Sequence, residues 1–255
     1  MLVDPGPESS LHTLLEKIGD QRPEAILLTH IHLDHAAAVG AMVARWPDLP
    51  VYVHERGAPH MIDPSRLLAS AERLYGDEME RLWGRILPVP EENVTRLSGG
   101  ETVRGMRVAY TPGHASHHVA YLHEETGTAF TGDVAGVRIP DTGLVIAPTP
   151  PPDIDLEAWE ESLRLIEAWD PQRLVLTHFG AVDEPAAHIA ALRETLAEEA
   201  DLARRLPREG YEADLRRRIA ARTGAAEEQV DQAAPVANQW GGLDRYWRKK
   251  AEREA

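Results

Sequence analysis

Four apolar runs in the chain end in a threonine, and each threonine is followed within three residues by a histidine or an aspartate. The runs are LLTH, AYTPGH, AFTGD and LVLTH, and the side chains that they deliver belong to His30, His114, Asp133 and His178. Short apolar runs of this kind are typical of buried strands. In α/β sheets, functional side chains gather where strands end, because loops emerge there from a rigid scaffold. The pattern predicts a mixed α/β fold whose strand ends surround one site.

The first of these runs continues as THIHLDH, which places three more ligand-type residues directly behind His30. Side chains alternate along an extended backbone, so His30 and His32 project to the same side and can bind one ion. Asp34 and His35 follow where the chain turns into a helix, displaced far enough to serve a neighbouring ion. The segment is therefore interpreted as a metal-binding loop rather than as a polar turn.

The donor chemistry is restricted because the chain contains no cysteine. A transition-metal site must then use histidine, aspartate or glutamate, a set that suits zinc and also iron or manganese. The candidate ligands are more numerous than one tetrahedral site needs, so we expect two divalent metal ions that share a carboxylate. Ions in such a site lie roughly 3.5–4 Å apart. Zinc is the expected metal, with iron and manganese as alternatives.

The net charge of −15 disfavours a partner with a phosphate backbone or an anionic membrane surface. No apolar stretch reaches the length of a membrane span, and the first ten residues lack the regions of a signal peptide. We therefore expect a cytoplasmic protein with a small-molecule substrate and with neither a nucleic-acid nor a membrane partner. A homodimer is left open.

Hydrophobic patterning predicts strands and helices in alternation. The predicted strands cover residues 25–30, 51–54, 107–111, 118–123, 128–133 and 173–178. The predicted helices cover residues 35–46, 64–75, 77–87 and 155–169, and Asp155 is the expected N-cap of the last one. Strand signals stop near residue 205, and the patterns over 211–223 and 225–240 are helical. We therefore predict a main domain over 1–204 and a helical C-terminal extension over 205–255.

THIHLDH, together with TPGH, TGD, THFG and the upstream LVDPG, resembles the metallo-β-lactamase fold superfamily. More narrowly, the chain is similar to the glyoxalase II-like branch of metal-dependent hydrolases. The resemblance implies a four-layer αβ/βα sandwich with a dinuclear metal site. It also assigns the ligands, with Asp133 bridging the two ions and Asp4 bracing the loop. The first ion would be held by His30, His32 and His114, and the second by Asp34, His35 and His178.

Relatives normally carry a hairpin before the segment that corresponds to LVDPG, and this chain lacks it. Either upstream strands are missing or the fold begins at LVDPG, and the resemblance implies an open sheet edge, a template for association with another chain. We expect lower stability, or a stronger tendency to associate, than in a chain with the hairpin restored.

The function implied by the resemblance is hydrolysis of an ester, thioester or lactone bond through a metal-bound hydroxide. Asp34 would orient the hydroxide and shuttle the proton to the leaving group. Two alternatives stay open, a mononuclear iron enzyme like the persulfide dioxygenases and a non-catalytic binding relative. Among the remaining histidines, His118 is expected to be packed, whereas His54 and His188 are expected on the surface or in turns.

Overall fold

The computed structural model describes residues 1–223, 230–231 and 233–254, and the chain divides into two compact units. The N-terminal unit consists of Met1–Arg104 together with Val108–Tyr110 and His117–Val119. The C-terminal unit consists of Gly105–Arg107, Thr111–Ser116 and the chain from Ala120 onward. The predicted boundary between 204 and 205 stays a prediction.

A parallel sheet organises the N-terminal unit. Its strands lie in the order β1-β2-β3-β4 and are formed by Leu2–Val3, Ile26–Leu27, Val51–His54 and Val94–Leu97. All three strand pairs are parallel, so the carboxyl ends of the strands meet at one edge of this sheet. The THIHLDH segment leaves the sheet at that edge, directly after β2. The helices are α1 to α6, formed by Leu11–Ile18, Leu33–Ala36, Val39–Arg45, Ala58–Ile62, Ser65–Tyr75 and Met79–Trp83.

The THIHLDH loop is anchored by the core of this unit. Ile26 and Leu28 have no exposed surface and pack with Val39 and Met42 of α3 in one apolar cluster. Burial of such side chains stabilises a fold by about 1.5–3 kcal/mol each. The polar loop between them is therefore fixed at both ends by packed apolar residues.

A second sheet consists of six strands, β5 to β8 together with β11 and β12. They lie side by side in the order β12-β11-β8-β7-β6-β5. In sequence order its strands are Thr102–Val103, Met106–Tyr110, Val119–His123, Thr128–Phe130, Arg173–Leu176 and Gly180–Val182. Strands β8 and β11 pair in parallel, whereas β7 with β8 and β11 with β12 are antiparallel. A separate short pair is formed by β9, Val137–Arg138, and β10, Val145–Ile146.

Within the described residues, four long helices accompany the strands of the C-terminal unit. They are α7, α8, α9 and α10, formed by Leu156–Ala168, Pro185–Arg205, Arg208–Thr223 and Val236–Glu254. Their buried residues join one apolar cluster that includes Trp159, Leu192, Tyr211 and Leu243. The helical segments after residue 205 therefore share the core of this unit and form its C-terminal helical part.

The predicted helices and the observed ones differ in two places. The helix predicted over 35–46 is divided into α2 and α3, and the one predicted over 77–87 ends at Trp83. Gly84 stops it with a φ of 68°, and a Cβ there would lie 2.7 Å from the backbone nitrogen of Ser9. The helix predicted over 225–240 falls partly outside the described residues. Asp155 caps α7 as expected, because its Oδ1 accepts the Ala158 N–H at 3.0 Å.

Among the helices that the structure describes, none combines the length and the apolar character needed to cross a bilayer.

We expect the stability of the helical part to depend on pH through Glu199. Its side chain is buried between α8 and α9, and burial raises its pKa from 4.5 to about 8. The folded state therefore retains a proton that the unfolded chain releases, so this contribution to stability is complete below about pH 4.5 and is lost as pH rises to 8. The loss amounts to roughly 1 kcal/mol per pH unit within that window. Glu199→Gln should flatten this part of a chemical-denaturation pH profile, and an unchanged slope would contradict the assignment.

Candidate metal centre

One buried carboxylate organises the loop after β2. Asp4 Oδ1 accepts the Thr29 N–H at 2.8 Å, and Oδ2 accepts the Thr29 hydroxyl at 2.7 Å. Asp4 Oδ2 also accepts the Nδ1–H of His35 at 3.0 Å. The Asp4 side chain is only 2% exposed, and its backbone is in the left-handed region at φ 47°. Asp4 therefore braces the loop from a position far away in sequence.

The same contacts determine which ring nitrogen each histidine presents. The Thr29 hydroxyl gives its hydrogen to Asp4, so its oxygen accepts from His30 Nδ1–H at 3.1 Å. His30 and His35 thus both use Nδ1 as the donor, which leaves Nε2 of each ring as the potential metal ligand. His30 Nε2 lies 3.0 Å from His32 Nδ1, and the His30 and His35 ring centroids are 3.9 Å apart. The loop therefore holds a compact cluster of imidazoles.

Apolar residues pack on the outer part of this loop. Leu33, from within THIHLDH, forms a small cluster with Ala71, Tyr75 and Trp83 of α5 and α6. Burial, together with the charge of Asp34, raises the pKa of Tyr75 to about 12, so its phenol stays protonated at neutral pH. Tyr75 and Trp83 therefore pack against the loop. Their contact with Leu33 restricts the position of the ligands on either side of it.

In the C-terminal unit, His114 lies in the loop after β6 and follows Gly113, a position that has no room for a side chain. Gly113 has a φ of 137°, and a Cβ there would lie 2.3 Å from Trp159 Cα. His114 donates its Nδ1–H to the Pro148 carbonyl at 2.8 Å, and its ring meets the Trp159 ring edge-on at 5.8 Å. Nε2 is again the nitrogen that remains for a metal.

Asp133 lies in a tight turn, Gly132–Ala135, directly after β8. Its Oδ2 is 3.5 Å from His114 Nε2, and its Oδ1 is 3.5 Å from His178 Nε2. One carboxylate therefore turns a different oxygen towards each of two imidazoles. This is the geometry that a ligand shared between two ions requires.

Two buried N–H groups hold this turn in place. Trp159 of α7 donates Nε1–H to the Val134 carbonyl at 2.6 Å, and His188 of α8 donates Nε2–H to the Ala135 carbonyl at 2.8 Å. The two acceptors are the residues immediately after Asp133, so the carboxylate is positioned from two helices at once.

The expectation that His188 and His54 lie on the surface or in turns is wrong. They are 4% and 2% exposed, and burial lowers the pKa of both. His188 occupies the apolar stripe of α8 one turn before Leu192, and this spacing was the signal that could have identified it. His54 stacks on Tyr110 with ring centroids 4.4 Å apart. The expected packing of His118 is confirmed, since it has no exposed surface.

The residues predicted as ligands fall into two groups that are able to hold a metal ion. Within each group, one potential ligand atom of every residue lies within 4.8 Å of those of the others. One group is His30, His32 and His114, and the other is Asp34, His35, Asp133 and His178. The first is built from imidazoles alone and the second combines imidazoles with carboxylates, and both donor sets suit divalent transition metals.

A sequence model of the metallo-beta-lactamase superfamily matches residues 1–178. The chain belongs to this superfamily. The resemblance seen in the sequence and the predicted fold, a mixed α/β architecture with a helical C-terminal part, are thereby confirmed. The superfamily binds divalent metals and includes metal-dependent hydrolases.

Individual relatives support the same membership. The metallo-beta-lactamase fold-containing protein ST1585 of Sulfurisphaera tokodaii is 29% identical over 208 residues, which are 78% of this chain and 75% of that protein. The crystal structure of ST1585 matches with a TM-score of 0.66 at 26% identity, covering 89% of this chain and 82% of that one. TTHA1623 in a di-iron-bound form matches at 30% identity with a TM-score of 0.53, covering 74% of this chain and 84% of that one.

A hydroxyacylglutathione hydrolase of Xylella fastidiosa is 32% identical over 136 residues. This match covers 52% of the present chain but only 40% of that hydrolase. The chain therefore matches less than half of that enzyme's length.

We expect His188→Leu to destabilise the protein by about 1–3 kcal/mol, because the buried Ala135 carbonyl would lose its donor. His188→Gln is the matched variant, since its amide N–H can still reach this carbonyl, and it should lose less. Chemical denaturation of the metal-free protein measures both changes. Equal stability of the Leu variant and the wild type would show that the hydrogen bond does not hold the turn.

Proposed function

We propose that this protein is a dinuclear metal-dependent hydrolase that cleaves an ester, thioester or lactone bond. The observation that carries the proposal is Asp133, whose two carboxylate oxygens face His114 and His178 at 3.5 Å each. A carboxylate that turns one oxygen to each of two ligand groups is the feature that a two-ion site needs and that a one-ion site does not.

The ligand assignment follows the two groups. The first ion is assigned to His30, His32 and His114, and the second to Asp34, His35 and His178, with Asp133 between them. Zinc is the proposed metal because its usual ligands include both imidazole and carboxylate. Iron is the alternative, supported by the di-iron form of the relative TTHA1623.

When bound, two divalent ions would supply a water of lowered pKa and would polarise the oxygen of a substrate carbonyl. The protein supplies the group that handles the proton. The Asp34 side chain is 30% exposed and that of Asp133 is 5% exposed, so Asp34 is the carboxylate that solvent and substrate can reach. Asp34 is therefore the proposed catalytic residue.

In the proposed reaction, an oxygen of the Asp34 carboxylate orients the attacking water and accepts its proton. The water oxygen forms a bond to the carbonyl carbon, and the bond from that carbon to the leaving oxygen or sulfur then breaks. The leaving atom receives the proton from Asp34, which restores the carboxylate. Asp133 and the imidazoles keep their positions throughout.

The substrate is proposed to be a small molecule. The matched segment of the hydroxyacylglutathione hydrolases supports a thioester, whereas the site chemistry serves esters and lactones equally. A mononuclear iron enzyme is less well supported, because the second group of ligands would have no ion to bind. A non-catalytic relative would have no need to keep both groups.

We expect about two transition-metal ions per chain in the purified protein, since the two groups together offer enough ligands for both. Elemental analysis measures the stoichiometry, and a panel of ester, thioester and lactone substrates measures turnover. A single iron per chain with oxygen uptake on a persulfide would overturn the hydrolase proposal.

We expect Asp133→Ala to abolish hydrolysis and to lower the metal content, because the variant loses the anionic ligand assigned to both ions. Asp141→Asn, which changes an exposed acidic residue of the same unit outside the ligand groups, is the control and should behave like the wild type. Full metal content and full turnover in Asp133→Ala would show that this carboxylate does not bridge.

A further inference from the structure

One peptide group in the C-terminal unit is hydrogen-bonded on both of its sides. Its carbonyl, from Pro148, accepts the Nδ1–H of His114 at 2.8 Å. Its N–H, from Thr149, donates to the side-chain oxygen of Gln239 on α10. The three residues that meet here are buried, with His114 and Gln239 1% exposed and Thr149 fully covered. A helix near the end of the chain is thus connected to a candidate ligand through a single amide.

Gln239 is itself held in one orientation. Its Nε2 donates to the Pro235 carbonyl at 3.1 Å, which identifies the opposite atom as the acceptor oxygen. The Thr149 hydroxyl lies 2.9 Å from that oxygen and 3.1 Å from the Gln239 carbonyl. These contacts fix the orientation of the Gln239 side-chain amide, so that its oxygen faces the Thr149 N–H.

The backbone of α10 lies unusually close to this peptide. A Cβ at Gly242 would lie 2.2 Å from the Thr149 carbonyl oxygen and 2.8 Å from Ile154 Cγ1. A Cβ at the neighbouring Gly241 would meet only Pro151 Cγ, at an ordinary contact distance of 3.6 Å. The absence of a side chain at position 242 is what allows Gln239 to reach Thr149.

We propose that α10 contributes to the geometry of the metal centre and that Gln239 is a positioning residue for His114. The inference rests on the proposed assignment of His114 as a metal ligand, and it concerns a helix beyond the part of the chain that the superfamily model matches. Gln239 fixes the Pro148–Thr149 peptide and polarises it, which makes the Pro148 carbonyl a stronger acceptor. The stronger acceptor fixes the orientation of the His114 ring and keeps its proton on Nδ1, so that Nε2 stays available as the ligand atom.

A purely structural role for Gln239 would require only that the core be filled. The acceptor oxygen, however, is aimed at the one peptide whose carbonyl orients His114. Loss of such a partner of a ligand typically weakens metal binding by about 10–100-fold. Metal affinity therefore distinguishes positioning from packing.

The first experiment compares Gln239→Met with Gln239→Glu in the full-length protein. Met keeps the volume but removes the acceptor, whereas Glu keeps an oxygen in its place. Zn²⁺ titration of the metal-free proteins against a competing chelator should show about 10–100-fold weaker binding for Met, with a smaller loss for Glu. In the metal-free wild type, the His114 Nδ1–H should give a protected NMR resonance that exchanges faster in the Met variant.

The second experiment uses the adjacent glycines as a matched pair. Both substitutions to alanine raise the helix propensity of α10 to the same extent. Gly241→Ala should bind Zn²⁺ like the wild type, whereas Gly242→Ala should bind it more weakly because α10 must move away from Thr149. This pair also decides the matter if Gln239→Met fails to fold.

Equal Zn²⁺ affinity in the wild type, Gln239→Met and Gly242→Ala, with wild-type melting temperatures of the metal-free proteins, would overturn the inference. That result would leave the proposed hydrolase intact if the wild type turns over substrate. Weaker Zn²⁺ binding in the two variants, with no turnover of any substrate by the wild type, would support the inference and reject the proposed function.

Discussion

The carboxylate of Asp4 is the group on which the rest of the candidate site depends. A buried anion is costly unless several donors surround it, and here the donors are the backbone and hydroxyl of Thr29 and the ring of His35. Those donors belong to the THIHLDH loop. The hydrogen bonds to Asp4 therefore also determine the conformation of the loop. The orientation of His30 follows through the Thr29 hydroxyl. These contacts leave Nε2 of His30 and of His35 as the potential metal ligands.

In the C-terminal unit, the candidate ligands are oriented by uncharged partners. His114 is fixed by a backbone carbonyl, and Asp133 is fixed by N–H groups from α7 and α8 that bind the turn behind it. Neutral partners give weaker hydrogen bonds than charged ones, but here they are fully buried and point from rigid helices. Helices α7 and α8 therefore contribute to the site although neither carries a candidate ligand.

Much of this could be predicted from the sequence, because the ligands follow strands whose apolar patterns are local. The alternation over 51–54 and 118–123, and the repeated threonine before each ligand, needed no knowledge of distant contacts. The contacts that position the candidate ligands could not be predicted in this way, because they join residues that are far apart in sequence. Thr149 and Gln239 are 90 residues apart, and nothing in the proline-rich segment around Thr149 indicates which helix will meet it. The burial of His188 could have been seen in the periodicity of α8, but not the identity of its acceptor.

The strand β1 has a consequence for the dynamics of the site. It contains only two residues, among the described strands it pairs with β2, and Asp4 follows it immediately. Short edge strands open at low free-energy cost, well below that of global unfolding. Each such opening would withdraw Asp4 from Thr29 and His35, so the imidazole cluster would lose its order while the core beneath it stayed folded. The fraction of time that the loop is competent to bind metal is then governed by fraying at a sheet edge, and bound metal would suppress that fraying in return.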